Sequence, residues 1–267
     1  MNAFLSAFWA ETLKARRSKV PLGTAAGFSI FPIIGGLFMI IMKDPEQARA
    51  MGLIGAKAQL LTAGVADWPT YFDFLTLGTA AMGAILFAFI TAWVFGREFS
   101  DHTAKELLAL PTPREMIVGA KFVLTAFWIL GLTLLIFVMG LGIGTAVGMP
   151  GWSLQLAWTS FWSLMTTALL NFMLMPFVAF FASAGRGYIP PLGWAVFTLG
   201  LAQVAGLMGW GDWFPWAVPG LSSLMFSVMY GQRAEPLGVH SYVLVALTFV
   251  AGLVCTVIWW RSADQAR

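Results

Sequence analysis

The sequence predicts an all-α integral membrane protein with six transmembrane helices. Three observations carry that expectation. Hydrophobic residues make up 59% of the chain and charged residues 10%, where a soluble domain carries about 25% charged residues. Mean hydropathy is +0.82. Several runs free of Asp, Glu, Lys and Arg are long enough to cross a bilayer, which takes about 20 mostly apolar residues. Such a chain cannot cover its own surface in water, which excludes an ordinary soluble domain and a disordered one.

Residues 1–19 read as an amphipathic helix at the cytoplasmic interface, and 20–267 as a single six-helix transmembrane domain. In the first segment Phe4, Leu5, Phe8, Trp9 and Leu13 share one side at helical spacing, and Lys14, Arg16, Arg17 and Lys19 close it with a basic cluster. That pattern suits a helix lying in the membrane interface. The spans follow at about 20–42, 74–96, 122–148, 153–184, 187–211 and 241–260. The first is too long for a signal-peptide core and no Ala-x-Ala site closes it, so it reads as a retained span. Met149-Pro150-Gly151 is the turn that divides the long apolar run between spans three and four.

Cation placement sets the orientation. With the N-terminus inside, the inner segments hold Lys14, Arg16, Arg17, Lys19, Arg97, Lys105, Arg114, Lys121, Arg186, Arg261 and Arg267. The outer segments hold only Lys43, Arg49, Lys57 and Arg233, and the acidic residues divide evenly. Both termini are therefore expected on the cytoplasmic side of the membrane. Between spans five and six, Trp210, Trp213 and Trp216 lie among Gly and Pro ahead of the short apolar stretch Leu221–Tyr230. That stretch cannot span. It reads as a re-entrant or interfacial segment with Trp at headgroup level, or as an apolar loop packed on the outer helix ends.

Within the spans, Ala80, Ala84, Ala88 and Ala92 recur every four residues, as do Gly140, Gly144 and Gly148. Small-residue stripes let helix backbones approach closely in lipid, inside one chain or between subunits. Pro32 and Pro176 favour kinks. Asn171 and Gln203 are expected to hydrogen-bond neighbouring helices, and Cys255 to be an inert core thiol. No span carries an Asp, Glu, Lys or Arg, the groups that coupled carriers commonly use. The sequence has no His-Glu-x-x-His, no Gly-x-Ser-x-Gly and no P-loop. His102 and His240 fall on opposite faces and cannot share a metal. No metal site, no catalytic residue and no nucleic-acid partner is expected on this chain, and its general surroundings are membrane lipid.

The segment from Arg97 to Lys121 stands apart, with Arg97, Glu98, Asp101, Lys105, Glu106, Arg114, Glu115 and Lys121 crowded into one cytoplasmic loop. Thr103-x-x-Glu106 is a capping box opening a short helix at about 104–110, which Pro111 stops. Thr112-Pro113-Arg114-Glu115 is a second box, leading into span three. Leu107, Leu108 and Leu110 would leave an apolar face in water unless something covers it. The cover is either a docked partner protein or the chain's own helix bundle.

The stretch Ala92–Lys121, AWVFGREFSDHTAKELLALPTPREMIVGAK, resembles the segment between the second and third spans of ABC-2-type permeases. Ser183–Leu201, SAGRGYIPPLGWAVFTLGL, resembles the entry to the fifth span in the bacitracin-resistance-like branch of that family, and Glu11-x-x-Lys14-x-x-Arg17-Ser18 also fits. The resemblance implies the membrane subunit of an ATP-binding cassette exporter, non-catalytic and carrying no cofactor itself. Two permeases, here a homodimer, would pair with two copies of a P-loop ATPase subunit that binds ATP and Mg. It further implies that the N-terminal helix is an elbow helix and that the loop couples to the ATPase. Leu107 and Leu108 would then enter a groove on the partner, with Arg97, Glu98, Asp101, Lys105, Glu106 and Arg114 as polar docking residues. The cargo would be an amphipathic or lipophilic compound such as a peptide antibiotic. A secondary carrier or channel, which calls for a buried ionisable cluster or an inverted repeat, and an integral membrane enzyme are the alternatives.

Overall fold

The computed structural model describes residues 3–44, 65–103, 106, 112–224 and 237–262. The helices are α1 (Ala3–Arg17), α2 (Val20–Lys43), α3 (Trp68–Ser100), α4 (Arg114–Val147), α5 (Leu154–Ala184), α6 (Ile189–Leu207), a short α7 (Val218–Leu224) and α8 (Val239–Ser262). Six of these, α2 to α6 and α8, are long and apolar enough to cross a membrane. The fold is an all-α membrane bundle. α5 is central and packs mainly on α3 and α8, while α2 and α1 both pack mainly on α4. Leu22, Ile30, Ile33, Leu37 and Ile40 remain exposed along α2, as apolar side chains do when lipid is their solvent.

Close packing is made at glycines. The ring of Trp68 on α3 lies where a Cβ on Gly144 of α4 would be, and Leu75 closes on Gly140 within 2.6 Å of the same position. The glycine stripe is thus filled from within the chain. Gly148 ends α4 in the left-handed region at φ 66°, with its N–H returned to Gly144 O, a common helix stop. Ser153 then caps α5, its Oγ accepting from Leu156 N at 3.1 Å. The division at Met149–Gly151 is as expected.

α3 and α4 outrun their apolar segments by the most. Asp67 caps α3 by accepting from Thr70 N at 2.9 Å, which starts the helix six residues before position 74. α3 then continues to Ser100, and α4 begins at Arg114. Asp73, Arg97, Glu98, Arg114, Glu115 and Lys121 therefore sit on spanning helices, a correction to the expectation of spans without ionisable residues. The second capping box is also corrected. Pro113 occupies the cap position of α4 and no side chain caps it. The first box and its short helix lie outside the described residues, apart from Thr103 and the exposed Glu106.

Beyond α6 the chain doubles back. Two 3-10 turns, Gly211–Trp213 and Pro215–Ala217, lead into α7, which packs on α3 and α5. The Trp216 ring lies 5.6 Å from Trp194 and 5.9 Å from Phe177. Trp194 is ~20 Å along α6 from the Leu207 end, at 1.5 Å per residue. The described part of the segment folds back against the bundle, where Trp216 is half-buried while Trp210 and Trp213 are exposed. Most of Leu221–Tyr230 lies outside the described residues. Asn171 donates to the carbonyls of Thr79 and Ala80 at 3.0 and 3.3 Å, as expected of a polar side chain in a span. Gln203 is exposed on α6. Cys255 is exposed on α8 rather than in the core, because that helix turns only a narrow face inward.

Candidate functional site

The polar chemistry of the bundle gathers where α1 crosses the adjoining ends of α3 and α4. Phe8 on α1 meets Phe127 on α4 at 6.3 Å between centroids, and Phe4 approaches Gly119. This contact lays one turn of α1 against the first turns of α4. Glu11, two turns after Phe4 on the same helix face, then faces Lys121.

Lys121 is wholly buried. Its Nζ donates to Glu11 Oε2 at 3.0 Å, Glu98 Oε1 at 2.8 Å and the Val94 carbonyl at 2.8 Å. All three ammonium donors are engaged. Lys14 completes the group, with Nζ 2.6 Å from Glu11 Oε1 and 3.0 Å from Glu98 Oε1. Two carboxylates and two ammonium groups make a neutral set, which is how buried charge is tolerated. The cluster binds three elements at one point: α1 and the two helices that flank the 101–113 connection. It contains no nucleophile and no open coordination position, and no group able to hold a metal occurs among the described residues.

The expected docking residues divide on inspection. Glu98 faces inward, 2% exposed on its side chain and bonded to both lysines, instead of standing on an outer rim. Helical spacing explains this, since Glu98 and Val94 fall on the α3 face turned to α4. Arg114 donates to the Trp260 and Arg261 carbonyls at 3.0 and 3.2 Å, so it caps the C-terminus of α8. Beside it Glu115 pairs with Arg261 at 2.6 Å. Arg97 stacks over Trp93 at 5.1 Å and reaches Asp101 at 3.3 Å. Asp101 and Glu106 are exposed. Lys105, Leu107 and Leu108 lie outside the described residues. Sequence spacing missed the partnership of Lys121 with Glu11, because 110 residues separate them and Lys121 counted as loop.

The turn joining α5 to α6 meets this end too. The Gly187 backbone and the Tyr188 ring press on Gly96. Burial, opposed by a hydrogen bond with Ser100, holds the Tyr188 phenol above its usual value. Farther along the bundle, Ile129, Leu130, Phe161, Trp162, Met165 and Phe172 line an apolar groove of about 420 Å³ between α4 and α5. At the opposite end, Asp73, Thr76, Thr159, Ser160 and Ser163, with Pro69, Phe72 and Leu156, line a cleft of about 90 Å³ between α3 and α5.

The family described as ABC-2 family transporter protein matches residues 7–201. That range takes in the cluster and the connection it flanks. The chain is also 29% identical, over 187 residues, to the bacitracin transport permease protein BCRB of Bacillus licheniformis. The match covers 68% of this chain and 86% of that relative. No solved structure matches the chain. With the family matched over most of its length and six helices able to cross a membrane, the chain belongs to the ABC-2 family of transporter permeases.

Proposed function

We propose that this permease is the membrane subunit of an ATP-driven exporter whose cargo is an amphipathic or lipophilic compound such as a peptide antibiotic. The likeness to a bacitracin transport permease supports the cargo class. Two copies of a separate P-loop ATPase subunit bind ATP and Mg, and two copies of this chain form the transmembrane pathway. Both termini face the cytoplasm of a bacterial cell. Among the described residues, Lys14, Arg16, Arg17, Lys19, Arg97, Arg114, Lys121, Arg186 and Arg261 lie at the α1 end of the bundle, against Lys43 alone at the other. That polarity fits a cytoplasmic α1. The apolar groove between α4 and α5 offers a lipophilic cargo a surface within the bilayer.

The observation that carries the coupling proposal is the Glu11–Lys14–Glu98–Lys121 cluster. It ties both ends of the 101–113 connection to α1. A push on that connection by the ATPase is passed to α1, α3 and α4 together, because the ion pairs Lys14–Glu98, Lys121–Glu11 and Lys121–Glu98 cross between all three. Docking itself falls to Leu107 and Leu108, with Asp101, Lys105 and Glu106 around them. Burying one leucine contributes about 1.5–3 kcal/mol, whereas each exposed ion pair contributes about 0–1 kcal/mol.

The test is coexpression of Leu107→Asp and Leu108→Asp variants with the ATPase, reading complex recovery, ATP hydrolysis and transport. Each is expected to release or uncouple the ATPase while the permease still inserts. Full recovery with normal transport in both variants would move the coupling contact elsewhere.

A further inference from the structure

Beside the buried cluster, α1 and Arg97 of α3 border an open cavity of about 400 Å³ lined by Ala10, Leu13, Lys14, Arg17, Ser18 and Arg97. We infer that this cavity is a binding site for the phosphate headgroup of an anionic phospholipid in the leaflet that carries α1. Its cationic lining is unevenly compensated. Lys14 is committed to Glu11 and Glu98. Arg17 is exposed and has no ion pair among the described residues. Arg97 spends Nε on the exposed Asp101, and its side chain, 27% exposed, lines the cavity as Arg17 does. Held against Trp93 at 5.1 Å, the guanidinium is fixed in orientation. Phosphate oxygens are the acceptors its planar fork suits best.

The surroundings favour a lipid over a soluble anion. Leu5 and Trp9 on α1 are exposed, at 56% and 60%, which suits a helix resting in the bilayer surface. Around the helix, Leu13 lies between these two and Arg17, at 100° per residue. An acyl chain leaving the cavity would run over Leu13 toward Leu5 and Trp9, while the phosphate stays with Arg17 and Arg97. The site depends on the membrane placement of α1 and not on the identity of the cargo or the ATPase. Failure of the transport proposal would leave it standing.

The experiment is native mass spectrometry of the full-length chain, released from detergent after incubation with phosphatidylglycerol or phosphatidylcholine of matched acyl chains. Phosphatidylglycerol is expected to be retained in preference. An Arg or Lys beside an anionic headgroup favours it by about fivefold. Arg17→Gln is therefore expected to cut retention about fivefold, and Arg97→Gln by at least as much. Arg16→Gln, exposed and outside the cavity lining, is the control and is expected to retain the lipid. Arg17→Gln alone decides the matter if Arg97→Gln misfolds, since Arg17 is a surface residue. Equal retention of the two lipids, or retention unchanged by Arg17→Gln, overturns the proposal. Displacement of the lipid by millimolar inorganic phosphate also overturns it and would identify a site for a soluble anion instead.

Discussion

Lys121 on α4 donates to Glu98 on α3 across 2.8 Å, with 0% and 2% of their side chains exposed. The pair joins the α1-side ends of two spanning helices whose connection is the proposed coupling element. Because Glu11 and Lys14 join the same group from α1, that helix is bound to both spans by charge as well as by aromatic packing.

Removing one partner is expected to be far worse than removing two. Lys121→Met leaves Glu11 and Glu98 together in a buried place with only Lys14 between them. Breaking a buried pair in this way costs roughly 3–5 kcal/mol. The Lys121→Met, Glu98→Leu double variant leaves Glu11 paired with Lys14 and is expected to recover a substantial part of that loss. Thermal unfolding of the three proteins in one detergent, with the Glu98→Leu single variant completing the cycle, measures the coupling. Additive effects would show that the pair does not act as a unit.

Glycines in the same helix are expected to respond in opposite ways. At Gly144 a methyl group would overlap the Trp68 ring, whereas nothing lies within 4 Å of the corresponding position at Gly142. Gly144→Ala is expected to destabilise by about 1–3 kcal/mol through overpacking. Gly142→Ala is expected to be neutral or mildly stabilising, since Ala favours the helix by up to about 1 kcal/mol. Melting temperatures in detergent decide between the two signs.

Arg114 is expected to matter for the end of α8 and not for partner recovery. Arg114→Ala frees the Trp260 and Arg261 carbonyls, at a cost of about 0.3–1 kcal/mol if the helix-end charge effect dominates. Hydrogen exchange in the last turn of α8 should rise, while ATPase copurification is unchanged. Glu115→Ala, which removes an exposed pair, is expected to do less. Loss of the ATPase from Arg114→Ala with undisturbed exchange would restore Arg114 to the docking surface.

The topology prediction concerns sidedness. Reporter fusions after residues 60, 110, 150, 186, 225 and 267 are expected to read outside, inside, outside, inside, outside and inside. A cytoplasmic signal at residue 60 or 225 contradicts the proposed orientation.

By itself the sequence determined the class of fold. Hydropathy alone places six helices, because a bilayer makes apolar length the deciding quantity and leaves each helix to satisfy its own backbone. The turn at Met149–Gly151 was legible because Pro and Gly act locally, and the resemblance in Ala92–Lys121 led to the family. Only the tertiary structure decided what the charged residues near the helix ends do. Glu98 and Arg114 have the look of a solvated loop, yet one faces inward to Lys121 and the other caps a helix 146 residues away. Their partners lie on other helices, so no local spacing encodes them. The burial of Lys121 likewise follows from α1 folding across α4, and it is that crossing which turns four scattered charges into one joint.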